Sequence, residues 1–242
     1  MKYFNLILLF LMVSCHSKQS EPSKSANGID SIQIIKNHET EMISLNSLDT
    51  LISSENLKKN LKEWYQYQLH ENPKFSPDSF VVSENKPLDL ISESFDFSNR
   101  FSKVYHSILS YSPDRSQILD LFSNQIKLEK LDNGTYGGLY TTVQSPYLII
   151  PSKKVRFELL CYKTNDQFHD SYWLNNNILI ITGTTSSKKP NDYTRYYKIW
   201  IIDIEHKIFR SFTNTVSTEN YQVDDFVINS KMKAYQVWLD DI

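Results

Sequence analysis

The sequence predicts a mainly β protein, an antiparallel meander with one amphipathic helix near its start, on three observations. The longest run in which apolar content, turn signals and strand propensity agree is 168–212, FHDSYWLNNNILIITGTTSSKKPNDYTRYYKIWIIDIEHKIFRSF, which reads as three strands at 178–182, 199–204 and 208–212. Within it Ile199-Trp200-Ile201-Ile202-Asp203-Ile204 is apolar at both parities, so both faces need cover and this is the expected interior strand. Finally, 15 Tyr and 13 Phe against five Gly suit a packed β core and exclude a disordered or fibrous chain.

With 242 residues and 40% hydrophobic content, the chain has apolar material for one sizeable core. Its 26 basic and 28 acidic residues leave a net charge of −2, too weak a field to steer nucleic acid, which is excluded as a partner.

Taken in order, the chain begins with Lys2 and an apolar run at 4–13, FNLILLFLMV, too short for a permanent membrane span, followed by Ser14-Cys15. Met12-Val13-Ser14-Cys15 resembles the bacterial lipobox, in which small residues precede a Cys that is acylated and becomes the mature N-terminus. The resemblance implies a lipoprotein signal peptide at 1–14, a lipidated Cys15 and a membrane partner reached through that anchor. Residues 16–27, HSKQSEPSKSAN, have the composition of a flexible tether, and 28–242 is expected to be a single β-rich domain. His16-Ser17-Lys18-Gln19 lacks an acidic export run, so the cell membrane or outer membrane, on its periplasmic side, is the expected location. Acylation of Cys15 leaves Cys161 as the other cysteine, without a disulfide partner.

A short strand is expected at 29–35, while 44–52 stays open between helix and strand. A helix over about 54–70 follows, capped by Ser53 or Ser54, with Leu57, Leu61, Trp64, Tyr65 and Leu69 forming one apolar stripe. Asn72-Pro73 ends it, and 75–99 reads as an irregular connection with one or two strands. Strands are then expected at 104–109, 117–122, 126–131, 136–143, 147–150 and 155–162, with Asp132-Asn133-Gly134 as a hairpin turn. Two more, at 226–228 and 235–239, close the chain.

A weak repeat runs through this part. The segments 110–119, SYSPDRSQIL, and 171–180, SYWLNNNILI, share an aromatic, polar turn, apolar strand order, and 225–235, DFVINSKMKAY, reads as a third copy. Ser112-Pro113-Asp114 resembles the strand opening of β-propeller blades of the TolB type. Three copies do not close a propeller, so the resemblance implies blade-like meanders in an incomplete propeller or curled antiparallel sheet, with the helix covering one side.

Cys161, His169 and Asp170 are the one grouping that resembles a nucleophile, base and orienter, although Cys161 lies in an apolar strand where a thiol serves as a small hydrophobe. The six histidines are scattered, and Asp224-Asp225 and Asp240-Asp241 lack the spacing of a calcium loop, so neither a metal nor a cofactor is expected. The loop at 184–194, TTSSKKPNDYT, leads into Tyr193, Tyr196, Tyr197 and Trp200, a candidate binding surface for an envelope protein or glycan. In composition the chain is similar to small Bacteroidota-type lipoproteins of unassigned activity, which implies a location and no reaction. The expectation is a membrane-anchored, non-enzymatic binding or interaction module; the alternative is an envelope hydrolase acting on glycan or peptide. Cys15→Ser is expected to leave an unprocessed or soluble product; retention in carbonate-washed membranes at the wild-type level would rule out the anchor.

Overall fold

Strand β11 (Arg195–Asp203) is the middle of a five-stranded antiparallel sheet, flanked by β10 (Ile178–Ser186) and β12 (Ile208–Thr218) and, at the edges, by β9 (Asp166–Trp173) and β1 (Phe80–Pro87). The computed structural model describes residues 50–141, 144–159, 166–187, 192, 194–218 and 226–239. Tyr197 through Asp203 are buried without a gap, and Ile199, Trp200, Ile201 and Ile202 are each 0% exposed, as an interior strand with two covered faces requires. Each such side chain contributes about 1.5–3 kcal/mol by leaving water. The stretch 168–212 holds four strands rather than three, because β9 also belongs to the sheet.

One face of this sheet is covered by the N-terminal helix, which is broken into α1 (Ser54–Asn60) and α2 (Lys62–Glu71). Ser53 caps α1 by accepting the Asn56 N–H at 3.4 Å. The break falls at Leu61 (φ −128°, ψ 44°), which is nevertheless 2% exposed. Leu57, Trp64 and Tyr65 are buried as the stripe predicts, but Leu69 is 37% exposed and Gln68 is 0% exposed. On α2, position 68 lies directly above 64 and 65, whereas 69 falls at the stripe's margin, so helical geometry buries the polar residue. Phe75 clamps the contact edge-on, 5.7 Å from Trp64 and 4.8 Å from Tyr197.

The second sheet, also five-stranded and antiparallel, runs β2 (Ile91–Ser94), β8 (Val155–Glu158), β7 (Tyr147–Ile150), β4 (Ile118–Asp120), β3 (Leu109–Tyr111). A third joins β5 (Glu129–Lys130), β6 (Tyr136–Tyr140) and β13 (Gln236–Leu239). The β5–β6 hairpin turns at Asn133-Gly134, where Gly134 takes φ +85°. β13 lies parallel to β6, an exception to the antiparallel expectation. The chain is mainly β, in open antiparallel sheets with helical cover, and one hydrophobic cluster spans residues of all three sheets. No helix among the described residues is long and apolar enough to cross a membrane.

Two expected strands are helical. In place of a strand at 104–109 stand α3 (Asn99–Tyr105) and a 3-10 turn, His106–Ile108. Ser98 caps α3 through the Phe101 N–H at 3.1 Å, and Phe101, Val104, Tyr105 and Ile108 recur at helical spacing, a period masked by their strand-favouring side chains. The segment at 226–228 enters a π-helical turn, Val227–Lys231, in which Met232 N–H bonds Val227 C=O at 2.9 Å. The third repeat copy is therefore not a hairpin. The first two are: β3–β4 and β9–β10, whose turns meet where Asp114 N–H bonds Asn176 Oδ1 at 3.0 Å and Gln117 Nε2 bonds Asn176 C=O at 2.7 Å.

Register along β9 steps from Thr182↔Asp170 to Gly183↔Phe168, leaving His169 as the extra residue of a β-bulge. A Cβ on Gly183 would stand 1.9 Å from the Gln167 carbonyl oxygen, which is backbone and cannot swing aside. Gly183→Ala is expected to destabilise the protein by about 2–3 kcal/mol, read as a fall in denaturant midpoint; an unchanged midpoint would mean that the strands do not approach this closely.

Candidate functional site

The bulge decides what β9 presents. Register pairs put Asp170 in one row with Thr182 and Ile199, on the face that carries Tyr197. The inserted residue breaks the usual alternation, so His169 reaches the same side. Phe226 packs beside His169, its ring centroid 6.3 Å from that ring and 5.2 Å from Tyr67, with the Lys231 ammonium 5.8 Å from it.

Their environments differ. The Trp64 indole N–H donates to His169 Nδ1 at 3.3 Å, which leaves the ring proton on Nε2 of the neutral imidazole. Burial, reinforced by the nearby Arg195 charge, lowers the His169 pKa from 6.5 to about 3, so the ring stays neutral and is a poor base. Asp170 instead meets the Lys231 ammonium at 2.6 Å and accepts its neighbour's Ser171 N–H at 2.7 Å. Burial pushes its carboxyl above the usual range, against the opposing pull of Lys231. Behind Lys231, Glu63 accepts the Ser230 hydroxyl at 2.7 Å, and that bond, with Lys231 and Lys233, holds Glu63 below its ordinary value.

Asp170 and Lys231 stand at the wall of a cleft of about 200 Å³ at the seam where β9, the edge of the first sheet, faces β3, the edge of the second. Ser107, Ser110 and Ser171 supply further polar wall, and Leu109, Leu119, Leu121 and Phe122 the apolar lining. The seam is fixed by the Trp173 indole, which donates to Ser110 C=O at 3.2 Å. The Ser107 hydroxyl donates to the Tyr235 phenol at 2.6 Å, and that phenol donates to Val104 C=O at 2.8 Å. Next to the seam, Gln144 binds the open edge of β9: its Oε1 accepts the Phe168 N–H at 2.6 Å and its Nε2 donates to the Phe168 C=O at 2.9 Å.

Comparison with protein-family models, curated proteins and solved structures finds no match. What the cleft can do follows from its own side chains.

Of the residues singled out by sequence, Tyr197 and Trp200 are both 0% exposed and belong to the core, one on each face of β11, so neither presents a binding surface. Tyr196 is half-buried; Tyr193, Cys161, Cys15 and the two Asp-Asp pairs lie outside the described residues. Thr184, Thr185 and Ser186 continue β10, and the Ser187 N–H bonds Thr194 C=O at 2.7 Å, which shortens the expected loop. Among the described residues no three His, Cys, Asp or Glu side chains gather as a metal would require. Two further buried acids have structural tasks. Asp166 pairs with Lys198 at 3.3 Å, and Asp120 accepts the N–H groups of Phe122 and Ser123 in the turn after β4, with burial raising its pKa. Lys231 carries no sequence signal of its own: Ser110 and Ser171 open their copies of the repeat, but Lys231 falls at an unrelated position in the third and reaches the cleft only through the fold.

His169 makes the fold acid-sensitive in one direction. Its folded pKa lies below the unfolded 6.5, so between pH 6.5 and about 3 the unfolded chain binds more protons and stability falls as pH falls, by up to about 1.4 kcal/mol per unit. Asp120 and Asp170, with raised values, work in the opposite sense. The wild-type curve minus that of His169→Gln, from urea unfolding at pH 7, 6, 5 and 4, isolates the histidine; a flat difference would mean that the ring is not buried neutral.

Proposed function

We propose that this chain is a membrane-anchored lipoprotein, held through acylated Cys15 on the periplasmic side of a cell or outer membrane, that works as a non-enzymatic binding module, with the cleft between β3 and β9 as its ligand site. One observation carries the binding reading: apolar lining and converging polar groups meet in a concave seam between two rigid sheets, and its ionisable groups, Asp170 and Lys231, hold each other at 2.6 Å. A hydrolase would need a nucleophile bonded to a base with a suitable pKa. His169 has neither the free Nδ1 nor the pKa for that role, and Ser107 is turned to Tyr235. The anchoring part rests on the lipobox resemblance and brings the membrane as a partner.

The test is thermal unfolding of the full chain in detergent with millimolar amino acids, tripeptides, monosaccharides and disaccharides, each recovered afterwards for mass analysis. A ligand at ten times its Kd adds about 1.4 kcal/mol, a rise of about 3–6 °C for a domain of this size. The expected result is a rise with one class, lost when Ser171→Trp fills the cleft, with the probe recovered intact. No rise with any class, or a rise that survives Ser171→Trp, would remove the cleft as the site; a cleaved probe would favour the hydrolase.

A further inference from the structure

The charges on the cleft wall decide what can sit there. Asp170 and Lys231 place one carboxylate and one ammonium 2.6 Å apart, so a ligand carrying a single charge meets its partner and a like charge together. A neutral polyol avoids that conflict but brings no counter-charge to either member of the pair. A zwitterion laid antiparallel to the pair satisfies both charges. The pair has the capacity for it: Lys231 carries three N–H donors, one directed to Asp170, and the Asp170 carboxylate offers about four acceptor positions, with the Ser171 N–H and Lys231 on two of them. At about 200 Å³ the space falls below the roughly 300–1,000 Å³ of drug-sized ligand sites, which fits one residue and not a peptide.

We propose that the cleft binds a free amino acid, its ammonium on Asp170 and its carboxylate on Lys231, an inference that rests on the cleft being the protein's binding site. Ser110 stands on the same wall as a further hydroxyl donor for the carboxylate, whereas the Ser107 proton is held by Tyr235. Specificity then comes from the distance between the two charges, because a des-amino or des-carboxy analogue leaves one member of the pair beside a group that cannot answer it.

Isothermal titration of the full chain in detergent with L-leucine, 4-methylpentanoate, 3-methylbutylamine and glucose tests this. Leucine is expected to bind about tenfold or more tightly than either analogue, which lack its ammonium and its carboxylate respectively, and to lose at least that factor in Asp170→Asn and in Lys231→Met. An analogue that binds as tightly as leucine, or leucine affinity unchanged in both variants, overturns the zwitterion. Binding of glucose alone overturns it too while leaving the cleft as the binding site, and no binding by any probe removes both readings. If a variant does not fold, the ranking of the four probes on wild type still decides.

Discussion

A strand that is apolar on both faces must be covered twice. Tyr197, Ile199 and Ile201 of β11 look toward α1, α2 and Phe75, while Trp200 looks the other way, its ring 4.8 Å from Phe168. Burying both rows requires cover on each side of the sheet, and the N-terminal helix supplies it on one. The seam between β9 and β3 is where the edges of two separately hydrogen-bonded sheets meet.

The same constraint explains the broken helix and the buried polar residues. α1 and α2 follow a twisted sheet, and the break at Leu61 changes direction without exposing its side chain. Gln68 is then carried into the covered stripe by its position on α2. His169 is buried for a related reason: an inserted residue on β9 has to point somewhere, and here it points at the Trp64 indole, which needs an acceptor under the helix.

Much of the architecture was legible. The interior strand, the helix and its Ser53 cap, the Asn133-Gly134 turn and the strand at 147–150 follow from period, propensity and turn chemistry, all local signals. The misreadings at 104–109 and 226–228 share a cause: Val, Ile, Tyr and Phe favour strands intrinsically, and helical burial of Val104 and Ile108 overrode that preference. Tyr197 and Trp200 looked like surface aromatics beside a loop because sequence shows that a residue lies in a strand, not that the strand has neighbours on both sides. Of the cleft, Asp170 was visible as a candidate and Lys231 was not, since an ion pair between β9 and the π-helical turn is a long-range contact with no local pattern.

Gln144 has a consequence for how copies of this protein meet. An unpaired strand edge is a template on which a second molecule can extend the sheet, and among the described residues β9 is the edge of its sheet. The Gln144 amide, offering one donor and one acceptor to Phe168 at 2.9 and 2.6 Å, imitates one peptide group of an absent neighbour. The template is thereby interrupted at Phe168 by a side chain of the same molecule, which occupies the two backbone groups an added strand would need at that point.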